Sequence, residues 1–306
     1  MSRIRYLWLL VPALGIGELV LHVVFARRAP RVEEWRELVE PVRRLKRPND
    51  LLVVAPAWAE PVARHALGDA PFPLDQVARA DASSFPRALE ISALGARSDE
   101  TRSWGVASEE RAGRFTLRVL ENPAPVVPKY RFIEHVAPES LEVAVVTGER
   151  EVPCAFTPRA PVTAGGLHGH VTFPRERFAC PGGEASFVGV TVIDDEKYLP
   201  RRCIWAHPPD RGELRLRFRG VPLGARIRGW AGLSYFLFRD GEGEPVTIAF
   251  SAQGRSLGEH EHRDEWGFRA FTLPTQGVAG STADVEITVR ANSGANRHFC
   301  FVAETA

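Results

Sequence analysis

Lysine is nearly absent from this chain: among 39 basic residues, only Lys46, Lys129 and Lys197 are not arginine. A charge of one sign is absent too. The 39 basic side chains face 38 acidic ones, a formal charge of +1, so no net field recruits nucleic acid or another polyanion. No two of the four cysteines have the two-residue spacing of a redox motif or zinc ribbon, and no Walker loop occurs. Internal repeats and low-complexity linkers are missing. Only one long apolar run exists, which excludes a multi-span helical membrane protein. What is there is 306 residues, 44% hydrophobic, 25% charged and 9% aromatic, a globular composition with room for about two domains.

The apolar run extends from Tyr6 to Ala26. At about 1.5 Å per residue it reaches about 31 Å, enough for a bilayer core. It is read as a retained N-terminal anchor, because the apolar core of a cleaved signal peptide is only about 7–15 residues. Val24-Phe25-Ala26 would serve as the cleavage site in that second reading. Arg3 and Arg5 precede the run and Arg27, Arg28 and Arg31 follow it, so the flanking charge sets no orientation. Glu18 and His22, four apart, share one helical face and are read as a neutral pair sharing a proton.

Cys154, Cys180, Cys203 and Cys300 form an even set behind an export-type N-terminus, which points to disulfides, with three pairings open. Cys203 begins the apolar segment Cys203-Ile-Trp-Ala-His207, and Cys300 lies in His298-Phe-Cys-Phe-Val302. As the first and last strands of one β-domain these would be neighbours, leaving Cys154 with Cys180. Four buried thiols in a cytoplasmic domain is the competing reading.

Trp35, Leu38, Val39, Val42 and Leu45 repeat at helical spacing, with Pro41 placed to kink or interrupt the helix. Leu51 to Ala55 reads as a buried strand, Val62 to Leu67 as a second helix stopped by Gly68-Asp69, and Leu89, Ile91 and Ala93 as another strand. That rhythm is a small α/β unit. From Arg114 the period changes to two. Phe115, Leu117 and Val119 alternate with polar residues, as do Leu141, Val143 and Val145. Leu214, Leu216 and Phe218, then Val246, Ile248 and Phe250, then Val285, Ile287 and Val289 continue it past Pro200, and Gly-rich turns separate them. This is the pattern of an antiparallel sandwich.

Two stretches resemble known families. Trp35 to Gly95, with Arg47-Pro-Asn-Asp50 before Leu51-Leu-Val-Val-Ala-Pro56-Ala-Trp58, resembles the soluble exocytoplasmic tail of C-type membrane glycosyltransferases. Those enzymes keep their catalytic acids in a multi-span membrane portion, so the resemblance implies a partner role and not glycosyl transfer. Cys203 to Ala306, with Leu214-Arg-Leu-Arg-Phe-Arg-Gly220, Val246 to Gly254, Trp266 and Phe271, resembles a galactose-binding-like sandwich. The whole chain, arginine-rich as a GC-rich genome would make it, is similar to uncharacterised single-pass envelope proteins of bacteria such as myxobacteria.

Three constellations could carry chemistry. In Gly165-Gly-Leu-His168-Gly-His170, residues two apart on a strand face one way, so His168 and His170 could ligate one metal, with Asp194 or Asp195 as a carboxylate partner. The plainer reading is a Gly-rich loop with surface histidines. Asp194-Asp-Glu196 is also an acidic pair of the glycosidase kind, or simply an acidic turn. His260-Glu-His262 sits beside Gly258 and a charged run and reads as a solvated turn. A sugar-binding surface fits better, since stacking on a pyranose needs a flat aromatic beside polar side chains. Trp230 and Tyr235 supply the aromatics, and Arg228, Arg239, Asp240 and Glu265 the hydrogen bonds. Trp230 is as well suited to the core as to the surface; Trp266 suits the core.

The expected architecture is mainly β with a small α/β unit. It comprises an anchor helix (1–26), a juxtamembrane helix with the α/β unit (27–110), a β-rich middle (111–200), and a jelly-roll or galactose-binding-like sandwich (201–306). The expected role is a non-catalytic exocytoplasmic protein of the bacterial inner membrane, its soluble part in the periplasm, without a cofactor. It would bind envelope carbohydrate or assist a membrane glycosyltransferase. A metal-dependent hydrolase centred on His168 and His170, or a structural envelope protein, are the alternatives.

Overall fold

The computed structural model describes residues 10–79, 81–162, 172–195, 199–234, 243–264 and 267–306. The chain divides into two compact units, residues 1–73 with 87–123, and residues 74–86 with 124–306.

The first unit begins with helix α1 (Leu10–Arg28), followed by α2 (Val32–Arg36) and α3 (Val39–Leu45). Among the described residues no helix is long and apolar enough to cross a membrane. This differs from the expected span: Pro12, Gly15, Gly17, Glu18 and His22 dilute the apolar content of α1, and residues 6–9 of the run lie outside the described residues. Its apolar side chains nonetheless stand in the open, Val11 at 73% and Leu14 at 71% exposure. The expected helix from Trp35 is broken at residues 37–38, ahead of Pro41. Pro41 falls in the first turn of α3, where a backbone N–H has no intrahelical acceptor to lose.

Strand β1 (Leu51–Ala55) is buried at all five positions, as a strand covered on both faces must be. The chain then passes through α4 (Glu60–Leu67), ended by Gly68 at φ +73°, a left-handed conformation that glycine adopts without a Cβ clash. Strand β2 (Arg87–Ala93) pairs in parallel with β1, and β3 (Gly105–Ala112) and β4 (Phe115–Glu121) complete the sheet in the order β1-β2-β4-β3. Asp50, just before β1, is paired with Arg87 at the start of β2, and Arg87 Nη2 also donates to the Leu45 carbonyl at 3.0 Å, so one ion pair fixes where the two parallel strands begin. In the middle of β2, Glu90 is fully buried. Its carboxylate meets Arg97 at 3.0 Å and Arg118 at 2.9 Å, and accepts from the Ser98 N–H at 2.9 Å.

The second unit is a two-sheet antiparallel sandwich. After a short helix α5 (Leu74–Val77), its strands in chain order are β5 (Tyr130–Arg131), β6 (Leu141–Thr147), β7 (Arg150–Pro153), β8 (Ala155–Thr157), β9 (Arg177–Ala179), β10 (Phe187–Asp194) and β11 (Pro200–Ala206). They continue with β12 (Glu213–Pro222), β13 (Arg226–Leu233), β14 (Val246–Ala252), β15 (Arg255–His262), β16 (Arg269–Pro274), β17 (Thr282–Ala291) and β18 (Phe299–Thr305). One sheet runs β15-β14-β17-β12-β6-β7; the other runs β16-β13-β18-β11-β10-β9-β8, with β5 also on β18. The alternating apolar residues of β12, β14 and β17 point inward to a shared core with Ile204, Ile227, Phe299 and Phe301. The expected middle region 111–200 is therefore divided: β4 belongs to the first unit, and β6 to β10 are strands of the same sandwich as residues 201–306. Periodicity hides that division, because Leu141 and Val143 of β6 alternate toward the same core as Leu214 and Leu216.

Both expected disulfides are formed. Cys203–Cys300 joins the neighbouring strands β11 and β18, and Cys154–Cys180 sits where the chain leaves β7 in one sheet for β8 in the other. They close loops of 97 and 26 residues, worth about 4.7 and about 3.5 kcal/mol by loop entropy.

Candidate binding surface

Strand β13 shows its two faces by parity. Ile227, Ala231 and Leu233 enter the core, so Arg228, Trp230 and Gly232 stand on the outer face of their sheet. Across the ladder, Trp230 lies opposite Val302 of β18 and Ala270 of β16, and Arg228 opposite Glu304 and Thr272. Ala270 and Thr272 are exposed, and Trp230 is half-buried, outside both packed clusters of this unit. This places Trp230 on the surface side of the sheet.

Arg228 does not reach toward solvent. Its Nε and Nη2 are paired with Glu304, its Nη1 donates to Ser83 Oγ at 2.8 Å, and its guanidinium carbon lies 5.3 Å from the Trp230 ring centroid. Ser83 is held in turn by Asp81, donating from Oγ at 2.7 Å. Burial pushes the Glu304 carboxyl above its ordinary range, Arg228 and Arg131 pull it back, and Asp81 adds to the rise. Arg131 Nε is 3.7 Å from Glu304. The network therefore holds a cation beside the indole and leaves Trp230 as the aromatic element of β13. It can offer an apolar ring beside the exposed residues Ala270 and Thr272.

Of the other sequence-expected residues, Tyr235, Arg239, Asp240, Glu265 and Trp266 lie outside the described residues, as do His168 and His170. Asp194 ends β10 in an exposed position. Its neighbour Asp195 is buried and accepts from Arg201 Nε at 2.8 Å and the Leu199 N–H at 2.9 Å, which shapes the turn into β11. Among the described residues no group of three His, Cys, Asp or Glu could hold a metal ion, and Cys154 and Cys180 are bridged to each other.

Ser83 and Glu304 join this network without a local sequence signal. The face of Glu304 was legible, since Phe299, Phe301 and Ala303 alternate with Cys300, Val302 and Glu304; its partners were not. The expected solvated turn at His260–His262 is instead the inner end of β15, with His262 only 1% exposed, because both imidazoles face the opposite sheet at Phe271 and Phe299.

No family model matches the chain, and no curated protein matches it. Among solved structures it is similar to CBM51 from Clostridium perfringens GH95 in complex with methyl-galactose, at 10% identity over 38% of this chain and 81% of that one, TM-score 0.28. It is also similar to CBM51-2 and INT domains from Clostridium perfringens ZmpB (12% identity, 58% of this chain, only 40% of that one, TM-score 0.28). A third is CBM29_1, a family 29 carbohydrate binding module from Piromyces equi (12% identity, 54% and 89% covered, TM-score 0.23). At such TM-scores the likeness decides neither fold nor ligand.

Proposed function

We propose that the protein is a non-catalytic exocytoplasmic binder of envelope carbohydrate, held at the bacterial inner membrane by its N-terminal residues, with a galactose-binding-like sandwich as the binding part. The observation that carries this reading is Trp230, a half-buried indole on the outer face of a sheet, beside an arginine that is ion-paired to Glu304. A sugar ring presents apolar C–H faces and hydroxyl edges, and an indole next to polar groups meets both at little entropic cost. Two disulfides suit an oxidising compartment. The exposed apolar side chains of α1 suit a lipid contact, since a patch of that kind is costly in water. In this arrangement the first unit is the part that would meet a membrane glycosyltransferase.

The test is retention of purified protein on immobilised cell-envelope polysaccharide, comparing wild type with Trp230→Ala and Trp230→Phe. The expected result is an affinity about tenfold weaker for Trp230→Ala, with Trp230→Phe partly restored and all three melting alike. Equal retention of Trp230→Ala and wild type would overturn the assignment.

A further inference from the structure

The end of the sandwich where β14 begins and β15 finishes carries an arrangement that sugar binding does not use. His262, the last residue of β15, pairs in register with Val246, the first of β14. Its imidazole is almost completely buried between the sheets, 6.2 Å by ring centroids from Phe299 of β18 and 6.2 Å from His260 of its own strand. Among the described residues neither ring nitrogen has a hydrogen-bond partner. A buried polar group in that state is costly, and adding a charge to it there would cost far more.

Arg297, 2% exposed, stands two residues before Phe299 in the segment leading into β18. Arg297 Nη1 donates to Asp264 Oδ1 at 2.5 Å and to the Glu244 carbonyl at 3.3 Å. Asp264 Oδ2 accepts from the Gly243 N–H at 2.8 Å. The guanidinium lies so close to Gly243 that a Cβ there would be 1.5 Å from Nη2, and any larger residue would displace it. On its other side, His207 Nδ1 donates to the Arg297 carbonyl at 2.8 Å. Arg297 thus ties the entry to β14, the exit of β15 and the chain after β11 to the start of β18.

The charged groups facing His262 divide unequally. Arg269 of β16, Arg297 before β18 and His260 of β15 all disfavour a second positive charge. Among the described residues Asp264 alone favours it, and its two oxygens are already taken by Arg297 and Gly243. Val246 of β14 and Phe299 of β18 are apolar.

The geometry points to a proton-triggered latch: His262 must be neutral for Asp264 to keep Arg297, and proton uptake by its imidazole draws Asp264 away and frees the β14–β15 edge together with the turn that carries Arg297. The ligand of this site is the proton, and the bond exchanged for it is the Arg297–Asp264 pair. Burial, seconded by His260 and Arg269, lowers the His262 pKa from its ordinary 6.5 to about 4. The unfolded or opened edge therefore binds the proton more readily than the closed one. Stability of the edge is complete above pH 6.5 and is lost as pH falls from there through about 4. His207 is lowered as well, by burial first, and adds in the same direction.

Hydrogen exchange on the full chain tests this, with rates corrected for intrinsic pH dependence. In wild type, the amides of residues 246–262 and 292–298 should open about twentyfold more at pH 5 than at pH 7, while those of β12 and β17 stay protected. His262→Phe keeps an aromatic ring that cannot be protonated and should hold the edge closed at both pH values. If that variant fails to fold, His262→Leu serves, and the wild-type imidazole resonances give an independent reading. A His262 titration midpoint near 4 supports the latch. A midpoint near 6.5, or an edge in the Phe variant that opens with the wild-type pH profile, overturns it.

Discussion

The two units reach order by different routes. The four-stranded sheet of the first unit buries apolar side chains such as Trp35, Leu52, Leu89 and Phe115, and its central strands are pinned by ions: Asp50 with Arg87 where the parallel strands start, and fully buried Glu90 between Arg97 and Arg118 in the middle. The sandwich has two facing sheets whose inward residues form one continuous cluster, and it adds two covalent crosslinks. Buried ion pairs specify register at a desolvation cost, whereas a broad apolar core stabilises without naming partners. Breaking a contact should therefore be felt differently in the two.

The largest effect is expected in the sandwich. Replacing Cys203 and Cys300 together by alanine removes the crosslink across 97 residues and should lower its stability by about 4.7 kcal/mol in urea unfolding. The first unit contains no cysteine, and its own transition should not move. A shift of both by the same amount would mean the two do not unfold separately. Next comes Glu90→Ala, which leaves Arg97 and Arg118 facing a buried void and should destabilise the first unit by about 3 kcal/mol, read in the same experiment. The smallest effect belongs to the outer face of β12. Arg217 meets Glu286 at 3.5 Å in the open, and Arg217→Ala should change the sandwich's stability by about 0.5 kcal/mol or less.

The same contrast governs what the sequence discloses. Apolar alternation is a local property, so β12, β14 and β17 were legible residue by residue, and the Cys203–Cys300 pairing followed from the adjacency of the segments that hold them. Long-range partners are not local. Nothing near Glu90 in the chain announces Arg118, and nothing near Arg228 announces Glu304 or Ser83. The transfer of the chain from one sheet to the other at Cys154 leaves the period unchanged and so passes unmarked. His262 was misread because charged neighbours Glu259 and Glu261 suggest solvent, although on a strand they point away from the face that His260 and His262 share. In the candidate site, parity would have assigned Trp230 to the outer face; the loss of Arg228 to an internal ion pair could come only from the fold.

The most direct measurement of the proposed role is hydrogen exchange of the intact protein with and without saturating cell-envelope polysaccharide. The account predicts added protection in β13 and β16, at residues 226–233 and 269–274, the strands that carry Trp230 and its exposed neighbours. Protection confined to the first unit, or none in the sandwich, would contradict it.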